Sequence, residues 1–391
     1  MNLNKVVRKN SKLIALFLFQ YTLLIPLMGI ISSSLLVAVS GILIVLCVLF
    51  NNYKLKINIK MIAVMFTILL ILLFKSFQIG SSIESIIRIV TIVAPVVIIY
   101  IYPFDYKIFI DESVKLAKVG FILICWYPFL PDFEYMRFGY GMLPVVIFTY
   151  IEFMYSKENF EKKEEFYKKI FAIGVAGIGA LEIFLYGARG SIFSLGLFIV
   201  LERFFISKKN IVFNSIILVI VIVIYRYIVP ILEFMEQIAQ RMGIYSYSIR
   251  KFKMQMSKGF LEASSGRGKL YARAIEKIKE HPLVGNAIVV EDSGGDYTHN
   301  LFLQVAQDLG IIALIVLVIF LVYILINIWR NETSVQEKII YSVLFSISIG
   351  RLMFSSTLWR RPEFWMLVCF TLVAKRNTKK LMKLKEKVVE G

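Results

Sequence analysis

Residues 301–326, LFLQVAQDLGIIALIVLVIFLVYILI, form a nearly continuous apolar run. A helix needs about 20 mostly apolar residues to cross the hydrocarbon layer, and its backbone must then satisfy its own hydrogen bonds. The composition of the whole chain agrees, since 58% of its 391 residues are hydrophobic and only 18% are charged. A soluble domain carries about a quarter charged residues. The chain is therefore predicted to be an all-α integral membrane protein.

Eleven further stretches have the length and hydropathy of membrane spans. The predicted fold class is a polytopic membrane protein with about 12 transmembrane helices and one large extracytoplasmic loop. The spans are expected at residues 13–31, 35–50, 61–79, 84–102, 116–130, 139–155, 170–187, 189–206, 211–231, 301–326, 338–356 and 362–374. The predicted organisation is helices 1–9 in residues 1–231, the loop in 232–300, helices 10–12 in 301–374 and a basic tail in 375–391.

The distribution of basic residues predicts which side of the membrane each loop faces. Lysines concentrate in the segments that lie inside when the N-terminus is cytoplasmic, for example Lys54, Lys56 and Lys60. The short outer loops hold few, as expected from the positive-inside rule. An even number of spans returns the tail to the same side. The chain is therefore expected in the cytoplasmic membrane with both termini cytoplasmic, and its net charge of +18 is not taken as a sign of nucleic-acid binding.

The segment 232–300 is the exception to the short outer loops. Loops longer than about 15 residues are usually functional or disordered, and long loops escape the positive-inside bias. Part of this one is predicted to be helical. Ser264 and Ser265 can cap a helix, and the pair His281-Pro282 ends it. An apolar stripe between them comprises Leu270, Ala274, Ile275 and Ile278.

The two histidines of the chain, His281 and His299, both lie in this loop. His299 stands in YTHN immediately before the tenth span, where a neutral imidazole could deprotonate a hydroxyl as general base. The alternative is that His299 only caps the helix or hydrogen-bonds at the interface. For His281, packing or compensation of the helix dipole is favoured.

Three arginines are candidates for recognising a phosphate, because the guanidinium fork binds phosphate in a bidentate way. Arg189 lies in GARGS (187–191), Arg267 in SSGRG (264–268), and Arg88 within the fourth span. Each has a plainer interpretation: Arg189 as a span-end residue reaching the interface, Arg267 as a solvated charge, and Arg88 as the ion-pair partner of Glu84 or Glu182. Together with one histidine on the outer face they favour an anionic lipid substrate.

Metal and nucleotide sites are not expected. The stretch EDSGGDYTH (291–299) contains Glu291, Asp292, Asp296 and His299, but its spacing matches no calcium loop. The sequence contains no Walker loop and no Rossmann fingerprint. We therefore expect no metal ion and no cofactor.

The order of several short motifs resembles the bacterial O-antigen polymerase and O-antigen ligase family. SSGRGKLYARAIEKIKEHPLVGNAIVVE (264–291) followed by THNLFLQVAQDLGIIALIVLVI (298–319) is similar to that family's Ser-Gly-Arg, helix, His-Pro-Leu-x-Gly and His-Asn signature, and GARGS is similar to its Arg-Gly motif. The layout of many spans with one large late loop is also similar. One departure is that Asn286 and Ala287 follow the His-Pro-Leu-x-Gly core, where the family often has glycine.

This resemblance implies a polyprenol-dependent glycosyltransferase of the GT-C type. The donor would be a glycan on undecaprenyl diphosphate at the outer face, and the acceptor a second lipid-linked unit. His299 would be the catalytic base, with inversion and without metal, and Arg189, Arg267 and Arg88 would bind the diphosphate. His281, Asn300 and Tyr297 would support the site. Membrane lipid, a chain-length regulator and a flippase would be partners.

Three alternatives stay open at this point. Within the family, a ligase would transfer glycan to lipid A core in place of a second lipid-linked unit. A lipid-linked oligosaccharide flippase would fit twelve spans equally well, but it predicts internal repeats and charges at the membrane midplane. A membrane scaffold or sensor would not call for arginines beside a histidine. Polymerisation of surface polysaccharide is the favoured function.

The predicted threading can be tested by cysteine labelling in intact cells. In a variant that lacks the natural cysteines, Ser265→Cys is expected to react with an impermeant maleimide added outside, because the loop faces the exterior. Lys56→Cys, the matched inner position, is expected to react only after permeabilisation. If the impermeant maleimide added outside labels position 56 but not position 265, the orientation is the reverse of the predicted one.

Overall fold

A computed structural model describes residues 3–28, 31, 33–52, 63, 66–67, 70–71, 83–131, 133–155, 163–207, 228–241, 243, 250, 253, 267–286 and 298–374. All regular secondary structure in these residues is helical, which confirms the all-α prediction for them. Five helices are long and apolar enough to cross a membrane, and three shorter helices are also apolar. The protein is thus an all-helical, multi-pass membrane protein, and the figure of twelve spans stays a prediction.

The described helices are numbered in chain order. They are α1 (Leu3–Leu24), α2 (Ser33–Asn52), α3 (Ile83–Tyr100), α4 (Tyr106–Ile124), α5 (Tyr135–Tyr155), α6 (Lys163–Tyr186), α7 (Arg189–Leu201), α8 (Ile228–Arg241), α9 (Arg267–Glu280), α10 (Leu301–Trp329), α11 (Val335–Leu352) and α12 (Pro362–Ala374). A π-helical turn, Glu202–Ser207, extends α7. Short 3-10 turns cover Ile25–Leu27, Tyr127–Phe129 and Leu358–Arg360.

Helix α11 forms the centre of the bundle. Every residue from Glu337 to Leu352 is buried, so α11 is enclosed by other helices on all sides. It packs most extensively against α7 and also contacts α4, α5 and α10. Outside this centre, α1 packs on α4, α4 on α5, and α5 on α6.

The helix boundaries differ from the predicted spans at several places; α1, for example, begins at Leu3, ahead of the predicted 13–31. Helix α4 begins at Tyr106, ahead of the predicted 116–130, because Asp105 caps it by accepting a hydrogen bond from the backbone N–H of Ile108. Helix α8 runs from Ile228 to Arg241 and so crosses the expected boundary between residues 231 and 232 without a break. The predicted spans 61–79 and 211–231 lie largely outside the described residues, and the tail 375–391 lies wholly outside them.

The two ends of the bundle carry different charged groups. At one end, Lys12 and Lys115 both contact Glu112, at 3.2 and 3.0 Å. Lys118 pairs with Glu152 at 2.7 Å in the same region, where α4 packs on α5. The beginning of α5 and the end of α11 lie at the opposite end, and the arginines described below gather there. Which of the two ends faces the cytoplasm stays a prediction.

The loop helix α9 is fixed to the membrane helix α10 by a backbone contact between two glycines. Helix α10 is interrupted at Gly310, which has a φ of +85°. The turn that follows α9 fills this interruption: the carbonyl oxygen of Pro282 accepts the N–H of Ile311 at 2.8 Å. A Cβ at Gly285 would lie 2.5 Å from the backbone nitrogen of Gly310, so neither chain could approach as closely with side chains at these positions.

Asn286, which follows Gly285, also contributes to this contact. Its backbone N–H donates to the carbonyl oxygen of Gln307 at 2.7 Å, and its side-chain amide donates to that of Lys277 at 2.7 Å. Asn286 therefore links the last turn of α9 to α10. The predicted stripe on α9 is confirmed at Ala274, which is buried, whereas Ile275 is 46% exposed. The predicted caps Ser264 and Ser265 lie outside the described residues.

Gly310→Ala is expected to destabilise the protein. An alanine at φ +85° is strained by about 1–3 kcal/mol, and its methyl group would collide with the backbone of Leu283 and Val284. The measurement is the thermal midpoint of the purified protein in detergent. Gly196→Ala is the matched control, because a Cβ at Gly196 in α7 meets no atom within 4 Å. Equal midpoints for the two variants would show that the glycine contact carries no stability.

Candidate functional site

The turn GARGS is packed tightly against the beginning of α5. Ala188 caps α7, and half-buried Arg189 is its first residue. A Cβ at Gly139 of α5 would lie 2.7 Å from the backbone nitrogen of Ala188 and 3.0 Å from the Cα of Gly187. A Cβ at Gly190 would collide with the hydroxyl group of Tyr140 and lie 3.0 Å from the Cβ of Phe354. The glycines therefore let α5, α7 and the turn after α11 meet at Arg189.

Arg267 reaches the same place from the loop. It is the first residue of α9, and its Nη2 donates to the carbonyl oxygen of Phe354 at 2.7 Å. Phe354 also stacks on Phe193, with ring centroids 5.2 Å apart, one helical turn after Arg189. The structure therefore brings both Arg267 and the GARGS turn close to one residue, Phe354. Two arginines separated by 78 positions in the sequence share this end of the bundle.

A third arginine, Arg351, lies next to Tyr140. It is in the last turn of α11, and its side chain is only 7% exposed. The guanidinium carbon lies 4.4 Å from the ring centroid of Tyr140 and 5.3 Å from that of Tyr21, which gives cation–π stabilisation. Arg351 also pairs with Glu363 at 3.3 Å. Ser355 donates to the Tyr140 hydroxyl at 2.5 Å, so the tyrosine is held at its hydroxyl group by Ser355 and at its ring by Arg351.

The connection between α11 and α12 adds two more arginines, Arg360 and Arg361. The Nε of Arg361 donates to the hydroxyl oxygen of Ser356. Burial, and then the neighbouring charge of Arg351, lower the pKa of Arg361 to about 10, so this guanidinium is still cationic at neutral pH. A cavity of about 720 Å³ opens beside these residues. Its polar lining includes Arg137, Tyr140, Arg351, Arg360 and Arg361.

His299 occupies a strained position at the start of α10. It is half-buried, and its φ of +50° is in the left-handed region, which is uncommon for residues other than glycine. Such strain is frequent at functional sites. The adjacent Asn300 is the helix cap, since its side chain accepts the N–H groups of Phe302 and Leu303 at 3.0 and 3.2 Å. The capping role weighed for His299 is therefore performed by Asn300.

The helix that follows His299 is bonded to the connection between α11 and α12. The side-chain oxygen of Gln304 accepts the backbone N–H of Leu358 at 3.0 Å. One turn further on, buried Asp308 accepts the indole N–H of Trp359 at 3.1 Å and a hydrogen bond from Gln304 at 3.3 Å. The start of α10, and with it His299, is thereby positioned against the turn that also contacts Arg267 and Tyr140.

The remaining predicted residues are less informative. Arg88 lies in α3, but its side chain is outside the described residues, as is Tyr297. The side chain of His281 is exposed at the end of α9, which agrees with a dipole role better than with packing. The described residues contain no group of three metal-ligating side chains, and positions 291–297 of the acidic stretch are not among them.

Reasoning from the sequence missed Arg351 and Tyr140. The signal was present for Arg351, which interrupts an apolar run in the same way as Arg88 and should be costly unless it is paired or functional. Arg360 and Arg361 lie between the predicted spans 338–356 and 362–374 and were not predicted as site residues. Tyr140 could not have been singled out, because its role depends on three helices that are distant in sequence.

Comparison with protein families finds a match in the central part of the chain. The family model described as O-antigen ligase matches residues 174–318. This stretch begins within α6, ends within α10 and contains Arg189, Arg267 and His299. A search of the curated proteins finds no match.

Proposed function

We propose that the protein polymerises lipid-linked oligosaccharides into a surface polysaccharide. The proposal starts from the O-antigen ligase domain that matches residues 174–318. The domain gives the class of activity, which is glycosyl transfer of the O-antigen ligase and polymerase type in a multi-pass membrane protein. The proposal adds the substrates: a glycan on undecaprenyl diphosphate as donor and a second lipid-linked unit as acceptor. Capsule, exopolysaccharide and O-antigen are all products of this kind.

The contact of both Arg267 and the GARGS turn with Phe354 carries the proposal. A donor diphosphate is a leaving group whose negative charge grows as the glycosidic bond breaks. Preorganised guanidinium groups stabilise that charge, and each such group contributes on the order of 3 kcal/mol. Arg189 and Arg267 begin their helices, where free N–H groups also favour an anion.

His299 completes the reaction as general base. The acceptor hydroxyl oxygen attacks the anomeric carbon, the bond from that carbon to the diphosphate oxygen breaks, and the imidazole takes the hydroxyl proton. The diphosphate leaves on the face opposite to the new bond, so the configuration inverts. The arginines neutralise the leaving group, and we therefore propose that no metal ion takes part.

Arg189→Lys is expected to reduce polymerisation at least about tenfold, because an ammonium group cannot reproduce the bidentate fork. The measurement is glycan length on gels after reaction of the purified protein with a lipid-linked repeat unit. Arg273→Lys is the matched control, since Arg273 is an exposed arginine in the middle of α9. Normal polymer from Arg189→Lys would restrict Arg189 to a structural role.

His299→Ala is expected to abolish chain extension while donor binding is retained, because only the proton acceptor is removed. His281→Ala, which removes an exposed imidazole from the same loop, is the comparison and is expected to extend chains normally. The two variants are assayed in parallel for polymer and for binding of the lipid-linked donor. Full polymer length with His299→Ala would remove His299 as the base.

A further inference from the structure

A cationic cavity lies next to the proposed donor site but is distinct from it. Its lining includes Arg137, Arg351, Arg360 and Arg361, and within the described part of the chain it includes neither Arg189 nor Arg267. Tyr140 separates the two regions. The hydroxyl group of Tyr140 contacts the side where Gly190 lies, whereas its ring lies against Arg351 and lines the cavity.

The charge of the cavity is unbalanced. Among the described residues, four arginines line it against two glutamates, Glu134 and Glu363. Arg137 pairs with Glu134 at 2.8 Å and Arg351 with Glu363 at 3.3 Å, which leaves a surplus from Arg360 and Arg361. Arg360 is exposed, whereas Arg361 is partly buried, and a partly buried cation is stabilised by an anion next to it. A surplus of two positive charges complements a diphosphate diester, which carries one negative charge on each phosphate.

Arg351 has a hydrogen-bond donor that its ion pair with Glu363 does not use. Its side chain is nine-tenths buried, yet among the described residues its Nε has no hydrogen-bond partner. The stacking on Tyr21 and Tyr140 fixes the plane of the guanidinium without using its N–H groups. An anion that enters the cavity would therefore meet a preorganised donor at little cost in side-chain entropy.

Part of the cavity lining is apolar. Val37 of α2, Ile92 and Pro95 of α3, and Met366 of α12 contribute to it. The outward face of α2 is exposed at Leu35, Val39 and Ile42, as expected for a helix in contact with lipid. A ligand that matches both the cationic and the apolar lining has an anionic head and a hydrocarbon tail.

We infer that this cavity binds the diphosphate head of a second polyprenyl-linked glycan, the acceptor, while the donor occupies the site of Arg189 and Arg267. The inference rests on the proposed function and specifies its acceptor. It favours polymerisation over transfer to lipid A core, because both substrates of a polymerase carry the same lipid diphosphate. The partition by Tyr140 allows the two heads to bind side by side without sharing an arginine.

Binding stoichiometry tests the inference. Native mass spectrometry of the full-length protein in nanodiscs, titrated with undecaprenyl diphosphate, is expected to show two bound lipids. Arg361→Gln is expected to weaken binding at the acceptor site about tenfold or more and to leave binding at the donor site unchanged. Arg267→Gln is expected to weaken binding at the donor site and to leave the acceptor site unchanged. Arg273→Gln, which removes an exposed guanidinium from α9, is expected to retain both. A thermal midpoint equal to that of the wild type shows that Arg361→Gln is folded.

The outcomes separate this inference from the proposed function. A single bound lipid that is unaffected by Arg361→Gln would overturn the acceptor site, even if the protein makes polymer. Two bound lipids with the expected variants support the site, even if no polymer forms. Inorganic diphosphate or phosphatidylglycerol binding as tightly as undecaprenyl diphosphate would identify a soluble anion or bulk lipid as the occupant and contradict the inference. In the polymerisation assay, Arg361→Gln is expected to raise the KM for acceptor without changing the KM for donor.

Discussion

Close approach of α5, α7 and α11 is the constraint on which both proposed anion sites depend. Three glycines permit it. A Cβ at Gly350 of α11 would lie 2.8 Å from the Cβ of Ser194, and Gly139 and Gly190 are equally restricted. In a membrane the hydrophobic effect does not hold helices together, so they associate where small residues allow backbone contact. At this end of the bundle the contact places Tyr140 between Arg189 and Arg351.

The cost of burying cations explains the surroundings of the arginines. Arg351 is compensated by two aromatic faces and one carboxylate, Glu363. A guanidinium is less strongly hydrated than an ammonium and stacks on rings, so arginine tolerates such a position better than lysine. This accounts for an arginine at position 351, where the side chain is almost fully buried.

Arg189 and Arg267 could be predicted from the sequence as site residues because each lies in a short local motif. GARGS and SSGRG each contain a helix start, an arginine and glycines, so the position of Arg189 and Arg267 at helix N-termini follows from a few neighbouring residues. The apolar runs likewise predicted the helical class, and His281-Pro282 predicted the end of α9. Helix α4 was predicted to start too late, because the charged residues of its first turns were assigned to a loop although Asp105 caps the helix there.

The cavity could not be predicted in this way. Its lining comes from α1, α2, α3, α5, α11 and α12, and no local pattern indicates that these segments converge. Asn286 shows the same limit on a smaller scale: the sequence marks it as a departure from similar proteins, but only the structure shows that its side chain joins α9 to α10. Side-chain roles that depend on distant backbone atoms are not visible in spacing.

The connection after α11 lies between the two proposed anion sites. In residues 354–361, successive positions are bonded to different elements: the Phe354 carbonyl to α9, Ser355 to α5, and the Leu358 N–H and Trp359 indole to α10. Arg360 and Arg361 belong to the same short segment and line the cavity. The backbone that carries Arg361 is therefore bonded, within a few residues, to the helix that begins with Arg267. The distance between the two proposed sites is set by one short segment that three helices hold.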